Sequence, residues 1–501
     1  MTRFFPIIFV HGWGGPGDIV RDFSATDESD PYVGWNTGHR YNDPDNWNKL
    51  RNTERNFEGL VLRLVKDFNY YDASNDEELS DFKNFLGLAP PAPGESSPAG
   101  LREVALNKAL WIFRYYEYNA EHLKLSEEVK RLLADELRNR NYFVEYPAKQ
   151  DLAGIPYYAA LLAMKIEQIA CPECHHIKAG RPERGPGLDL KQIALVGHSM
   201  GGLISRFAVQ YNLFGMAEHV ARLMTLSTPH GGARYASAAQ LLRFLPALRE
   251  DDIQFFTPKW VTEFMGGQTP NPPLNIAPTD VFCLIGTRHS DYYPVARQLP
   301  RTDGIVDQRE AFLENHPYAY VYNTHSGEHG IRENQDAYQS MRRFLFGDLY
   351  VRLLITDIEF QPGKRVDKDE SFFFQYFVKP RGINTQLNEI SERAENQPRP
   401  RTLTELKERL RKDPYIIFDG FADSGALVDR AARIGFGVTT SKLDIPHLQL
   451  EYNSFLSDLW VGGKFLGSGS RMIPLIEGTR TFSLEDQILK AKLRVEVRKR
   501  D

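Results

Sequence analysis

This chain's sequence predicts an α/β fold, a mostly parallel sheet covered by helices, followed by a second, β-rich domain. Three observations predict it. Short apolar runs alternate with helical patterns over the first 350 or so residues, as they do in βα units. After Gly347 the texture changes to short strands with no long helices between them. The length, 501 residues, exceeds what one hydrophobic core usually organises, so two domains are expected.

In the first domain the expected strands are residues 5–10, 142–146, 192–196, 222–226, 281–285 and 318–322. Each is a brief apolar run bounded by turn formers. Ser126 can cap a helix whose apolar face is Val129, Leu132, Leu133 and Leu137. Pro156 suits the first turn of another helix over 157–169, apolar on most sides as a sheet-covering helix would be. A last helix is expected over 333–346, ending at Gly347.

The connection after the first strand is too long for a simple βαβ unit. About 130 residues separate Val10 from Tyr142, which points to a cap-like insertion over roughly 16–125. It is rich in aromatics, among them Trp35, Trp47, Tyr70, Tyr71 and Trp111, read as the insertion's own small core with a few lining an acyl pocket. A Pro/Gly/Ser stretch at 89–98 divides it and is read as a loop.

The expected domains are therefore 1–348 and 349–501. In the second, residues 350–360, 371–378, 415–419, 434–439, 460–466, 472–476 and 489–497 read as strands, the makings of a β-sandwich. Residues 492–498 alternate strictly between charged and apolar, so one face is buried and one wet. The charged segment 389–411 is a helix or an excursion.

Net charge is −5, so there is no basic field to attract nucleic acid. Three cysteines in 501 residues make no disulfide framework and fit a reducing compartment. The first ten residues lead straight into a motif and read as a strand, not a signal peptide. The longest apolar stretch, 152–164, is too short to span a bilayer. A cytoplasmic protein is expected, with peripheral membrane contact left open.

The chemistry starts at Gly197-His198-Ser199-Met200-Gly201-Gly202, between an expected strand and the helical pattern 203–211. Strand, sharp turn and helix are the context in which Gly-x-Ser-x-Gly holds a nucleophile. The turn strains the serine, lifts its hydroxyl clear of the sheet edge and leaves no room for side chains at the flanking glycines. A capping serine in a chance glycine turn is the bland reading, and the context speaks against it.

A serine nucleophile creates an oxyanion that needs two amide donors. The Met200 amide follows the nucleophile, and His11-Gly12-Trp13-Gly14-Gly15 after the first strand offers the Trp13 amide. His11 itself is read as a structural histidine holding that loop. The acid and the base should follow the serine in that order. Thr302-Asp303-Gly304-Ile305-Val306-Asp307 supplies Asp303, an Asp-Gly turn able to aim a carboxylate at the sheet edge, with Asp307 the substitute. Asn323-Thr324-His325-Ser326-Gly327-Glu328-His329 supplies two histidines. His325, three residues past a strand, is preferred as base over His329, because a base must be held in reach of the serine.

Together with Thr228-Pro229-His230-Gly231-Gly232 and Asp303-Gly304-Ile305-Val306, these motifs resemble the triacylglycerol lipase and GPI inositol-deacylase-like branch of the α/β hydrolases. The resemblance covers residues 1 to about 347 and implies the α/β-hydrolase fold and hydrolysis of carboxylic esters. The 22-residue separation of Asp303 and His325 resembles the acid-to-base spacing of bacterial lipases in that branch. The absence of a secretion signal, the long first connection and the added β-domain depart from simple bacterial lipases.

Cys171-Pro172-Glu173-Cys174-His175-His176 matches half of a zinc site and a haem-attachment pattern. With no second Cys-x-x-Cys and adjacent histidines poorly placed for a tetrahedron, no metal and no cofactor are expected. The substrate is an ester or lipid, and a protein partner through the β-domain is left open. Two other functions remain: an acyltransferase on the same triad, and an idle hydrolase scaffold that binds a partner.

Overall fold

Apolar runs of four to seven residues form the centre of the fold, a computed structural model that describes residues 4–12, 57–73, 107–113, 154–170, 193–233, 257–289, 302–326, 329–360, 371–380, 401–423, 432–441, 450–454, 478–485 and 489–500, with a few single residues besides. The strands of this first part are β1 (Ile7–Val10), β2 (Tyr71–Asp72), β3 (Ala109–Phe113), β4 (Ile193–His198), β5 (Val220–Leu226), β6 (Val281–Gly286) and β7 (Tyr318–Val321). The helices that position the site are α1 (Glu58–Phe68), α2 (Gly154–Ala170), α3 (Met200–Gln210), α4 (Pro258–Met265) and α5 (Gln335–Phe346).

The seven strands pair in the order β2-β3-β1-β4-β5-β6-β7, and every pairing is parallel. A parallel strand is buried on both faces, which is why β4 and β6 have no exposed residue and read as unbroken apolar runs. On β1, Ile8 and Val10 enter the main cluster with α2 and α3. Phe9 points the other way, onto Phe57 before α1 (ring centroids 4.9 Å apart). Helices thus cover both faces of the sheet. α2 carries apolar residues nearly all round because it lies between the sheet and other elements, and Ile155 to Ile166 are buried but for Lys165. The chain passes from β1 out to β3 and back to β4 on β1's other side, so the strand order reverses between β1 and β4. In open α/β sheets that is where ligand sites form, at the carboxyl ends.

The expected insertion at 16–125 is in part sheet. Ala109–Phe113 is β3, paired with β1 from Ile7↔Leu110 to Val10↔Phe113, and Tyr71–Asp72 adds the edge strand. Trp111 therefore belongs to the sheet and not to a cap. A five-residue apolar run carries no periodicity to separate it from an insertion's own core. The expected strand at 142–146 and the loop at 89–98 lie outside the described residues, as does most of the helix capped by Ser126.

The chain divides into two compact units, Arg3–Met341 and Arg342–Asp501, and the division falls inside α5. The second unit holds β8 (Leu349–Phe360), β9 (Ser371–Pro380), β10 (Arg401–Thr402), α6 (Leu403–Lys412), β11 (Tyr415–Ala422), β12 (Ala432–Ser441), β13 (Leu450–Ser454), β14 (Gly478–Glu485) and β15 (Leu489–Lys499). They make two four-stranded antiparallel sheets, β10-β9-β12-β13 and β11-β8-β15-β14. On β15 the alternation read from sequence is realised: Val495 and Val497 are buried while Lys492 and Arg498 face water. Lys492 bonds Asp357 across to β8 at 3.1 Å. The charged segment ends as helix α6. β13 and β14 were not expected from the sequence, and the expected strands at 460–466 and 472–476 lie outside the described residues.

Candidate active site

Ser199 joins β4 to α3 with φ 52° and ψ −122°, a left-handed conformation that a side chain rarely adopts. Close packing enforces it. A Cβ on Gly197 would lie 2.6 Å from the Gly202 Cα, and one on Gly201 would collide with the carbonyl oxygens of Val10 and His11. Both glycines are thus required by approach of backbone to backbone. The turn sets Ser199 at the amino end of α3, whose first amides, Met200 included, have no carbonyl partner within the helix and favour negative charge.

Gly12, at the carboxyl end of β1, lies against Ser199: a Cβ there would be 2.9 Å from the Ser199 Cβ. His11 is buried, and its Nδ1 donates to the Gly12 carbonyl at 2.5 Å, the loop-holding place expected of it. Trp13, the expected second oxyanion donor, lies outside the described residues, as do Cys171, Cys174, His175 and His176.

Asp303 and His325 meet. Asp303 follows β6 and His325 follows β7, and the two are 1% and 4% exposed. His325 Nδ1 lies 2.8 Å from Asp303 Oδ2. The Asp-Gly turn explains the aim. Asp303 Oδ1 accepts from the amides of Ile305 (3.0 Å) and Val306 (2.8 Å), which turns Oδ2 outward to the histidine. A further bond runs from the His325 amide to the Asp303 carbonyl at 2.9 Å, so the loops are tied by main chain as well. With Nδ1 toward the carboxylate, Nε2 is the ring atom left for a substrate or nucleophile.

The substitutes are placed otherwise. Asp307 accepts from the Arg309 amide at 2.8 Å and pairs with that guanidinium at 2.5 Å. His329 is half-buried, and its carbonyl accepts from the Thr324 amide at 2.9 Å. Thr324 and Gly330 form a bridge, which ties His329 and Gly330 to the strand end.

Residues outside the expected set complete the surroundings. Glu333 caps α1, accepting from the amides of Phe57 (3.1 Å) and Gly59 (2.7 Å). Arg206, wholly buried on α3, donates to Gln210 Oε1 (3.0 Å), the His230 carbonyl (3.3 Å) and the Met265 carbonyl (2.5 Å). It ties α3 to the Thr-Pro-His-Gly-Gly loop and to the end of α4, and burial pushes its pKa down to about 9. The signal for it was in the sequence: arginine and glutamine four residues apart on an otherwise apolar helix.

Two buried histidines give a pH dependence. Burial, then His325 and Arg332, hold His198 well below the ordinary 6.5. Burial, then Arg206 and His316, do the same for His230. Both are neutral in the folded chain near neutral pH, whereas the unfolded chain takes up a proton at each below about 6.5. Their contribution is therefore complete above that pH. It is lost as pH falls below it, by up to about 1.4 kcal/mol per pH unit for each histidine. Unfolding free energies at pH 7.5, 6.5 and 5.5 should decline across the lower interval, above the range where carboxylates titrate. A flat profile would contradict the burial of neutral imidazoles.

Residues 185–258, which span the elbow and the Thr-Pro-His-Gly-Gly loop, match the family model described as the PGAP1-like alpha/beta domain. No curated protein matches the chain. Among solved structures, the mature form of the lipase BlEst2 from Bacillus licheniformis is similar at 20% identity, over 37% of this chain and 72% of that one, with a TM-score of 0.28. The lin2722 product from Listeria innocua aligns at 13% identity over 68% and 94% of the two chains, with a TM-score of 0.30. Phospholipase PlaB from Legionella pneumophila, solved in complex with thio-NAD, aligns at 12% identity over 90% of each, with a TM-score of 0.29. The parallel sheet and the strained elbow accompany a matched segment, residues 185–258, that is similar to the PGAP1-like alpha/beta domain.

Proposed function

We propose that the chain hydrolyses carboxylic esters through an acyl-enzyme on Ser199, with His325 as general base and Asp303 orienting it. The observation that carries this is the buried 2.8 Å contact of Asp303 Oδ2 with His325 Nδ1, at the same sheet edge as the strained serine. Ser199 Oγ adds to the acyl carbon while its proton passes to His325 Nε2. The carbonyl oxygen becomes an oxyanion, received by the amides of Met200 and Trp13. Collapse expels the alcohol, which leaves with the proton from His325. Water then attacks the acyl-enzyme, giving its proton to His325, and the acid departs as Ser199 recovers a proton. The proposed substrate class is a carboxylic ester, with soluble and lipid esters told apart by the panel below. Among the described residues no helix is long and apolar enough to cross a membrane.

The experiment is a panel of p-nitrophenyl and glycerolipid esters on the purified chain, with fluorophosphonate labelling in parallel and an acceptor alcohol added to detect acyl transfer. Labelling at Ser199 with turnover to free acid supports hydrolysis. Ester product in place of acid would reassign it to acyl transfer, and absence of both labelling and turnover would make it an idle scaffold.

The β-rich part is proposed to serve targeting, partner binding or bulky substrates, and not the chemistry, because every proposed catalytic residue lies before Met341. A fragment ending at Asp348, which keeps α5 whole, is expected to stay soluble and to hydrolyse short esters within about tenfold of the full chain. Failure of that fragment to fold would remove the independence of the first domain.

A further inference from the structure

His198 stands at the variable position of the elbow motif, where the turn itself asks for no particular side chain. It is nonetheless buried, 3% exposed, and held on several sides. Its Nε2 is 2.9 Å from the carbonyl oxygen of His325. A carbonyl only accepts, so Nε2 carries the proton and Nδ1 the lone pair. The two imidazole rings lie 4.6 Å apart at 47°. Across the ring, a Cβ on Gly12 would come within 2.8 Å of His198 Nδ1, and Nδ1 has no hydrogen-bond partner among the described residues. Phe57 closes a further side edge-on, with centroids 6.4 Å apart.

We propose that His198 is a positioning residue for the catalytic base: its Nε2–H holds the main chain of His325, and its ring spaces that loop from the Gly12 loop on either side of Ser199. This rests on the Ser199–His325–Asp303 reading. Asp303 fixes one edge of the His325 ring and its carbonyl holds the His325 amide, but the carbonyl end of His325 can still tilt about those contacts. The bond from His198 to the His325 carbonyl removes that motion. Because His198 also precedes the nucleophile, one residue references the base loop and the β1 loop to the serine. Its neutrality matters as well. As His325 accepts the proton from Ser199, positive charge develops against the His198 ring, and a charged neighbour there would oppose the transfer. Burial keeps His198 in the uncharged form that allows it.

The test compares His198→Leu, His198→Gln and His198→Asn in the full chain with a soluble p-nitrophenyl ester. Glutamine's amide nitrogen can reach the place of Nε2, whereas asparagine's falls short and leucine has no donor. Leu and Asn are expected to lower kcat by roughly 10- to 100-fold with KM within about twofold, since a displacement of about an ångström costs that much. Gln should recover to within about fivefold of wild type. Introduced into His325→Ala, the Leu change should cost less than about twofold more, because a positioning residue has nothing left to position. Should Leu fail to fold, the Gln and Asn pair reads the same donor. Wild-type kcat in Leu or Asn overturns the proposal, as does Gln no better than Asn, or the full cost persisting without His325. Failure of the underlying reading looks different. It would show as Ser199→Ala turning over esters at the wild-type rate, and it would take this proposal with it.

Discussion

Ser199→Ala is expected to lose at least about three decades of turnover on short p-nitrophenyl esters and all labelling by fluorophosphonates, with melting temperature little changed. The magnitude follows from the role proposed for the residue. Without Oγ there is no covalent intermediate, and only binding and the oxyanion amides still assist water. The fold should tolerate the change because the φ of 52° at this position is imposed by the glycine contacts around it, whatever the side chain. Alanine keeps a Cβ, so the strain is the same in both proteins. Unchanged turnover together with unchanged labelling would remove the catalytic assignment altogether.

His325→Ala should be as damaging as Ser199→Ala, and the double variant should lose little beyond either, because nucleophile and base work as a unit. Asp303→Asn should also be severe, by about three decades or more, since an amide at Oδ2 can no longer hold the tautomer with Nδ1–H toward it. The neighbours provide the contrast. His329→Ala should retain most activity, because its ordered contact is through the main-chain carbonyl, which alanine keeps. Asp307→Asn should chiefly lower stability, through the lost pair with Arg309, and leave kcat within about threefold. An active His325→Ala beside a dead His329→Ala would pass the role of base to His329.

Much of the first sheet was legible because a parallel strand declares itself as an unbroken apolar run between turn formers, as in β4, β5 and β6. β3 has the same kind of run and was missed. It lies amid a long segment of uncertain periodicity, and its place beside β1 depends on pairing between residues about a hundred apart, which no local pattern encodes. β15 was legible for the opposite reason, one wet face imposing a strict alternation. β14 pairs with it along its whole length, yet its own run, Gly478–Glu485, is polar at too many positions to stand out.

The sequence by itself determined the shape of the elbow, for a glycine two residues to either side of a serine is a steric requirement written in residue types. It also narrowed the proposed acid and base to one of two aspartates and one of two histidines. Tertiary structure decided the rest. Asp303 differs from Asp307 only by which way a turn points its carboxylate, toward His325 in one case and Arg309 in the other. Likewise His198 looks like a free choice in a motif, and its contacts with His325 and Gly12 exist only once β1, β4 and β7 share an edge. Residue type and local turns act within a few positions of the chain. Strand order acts across hundreds, and it sets which loops meet at the carboxyl ends of the sheet.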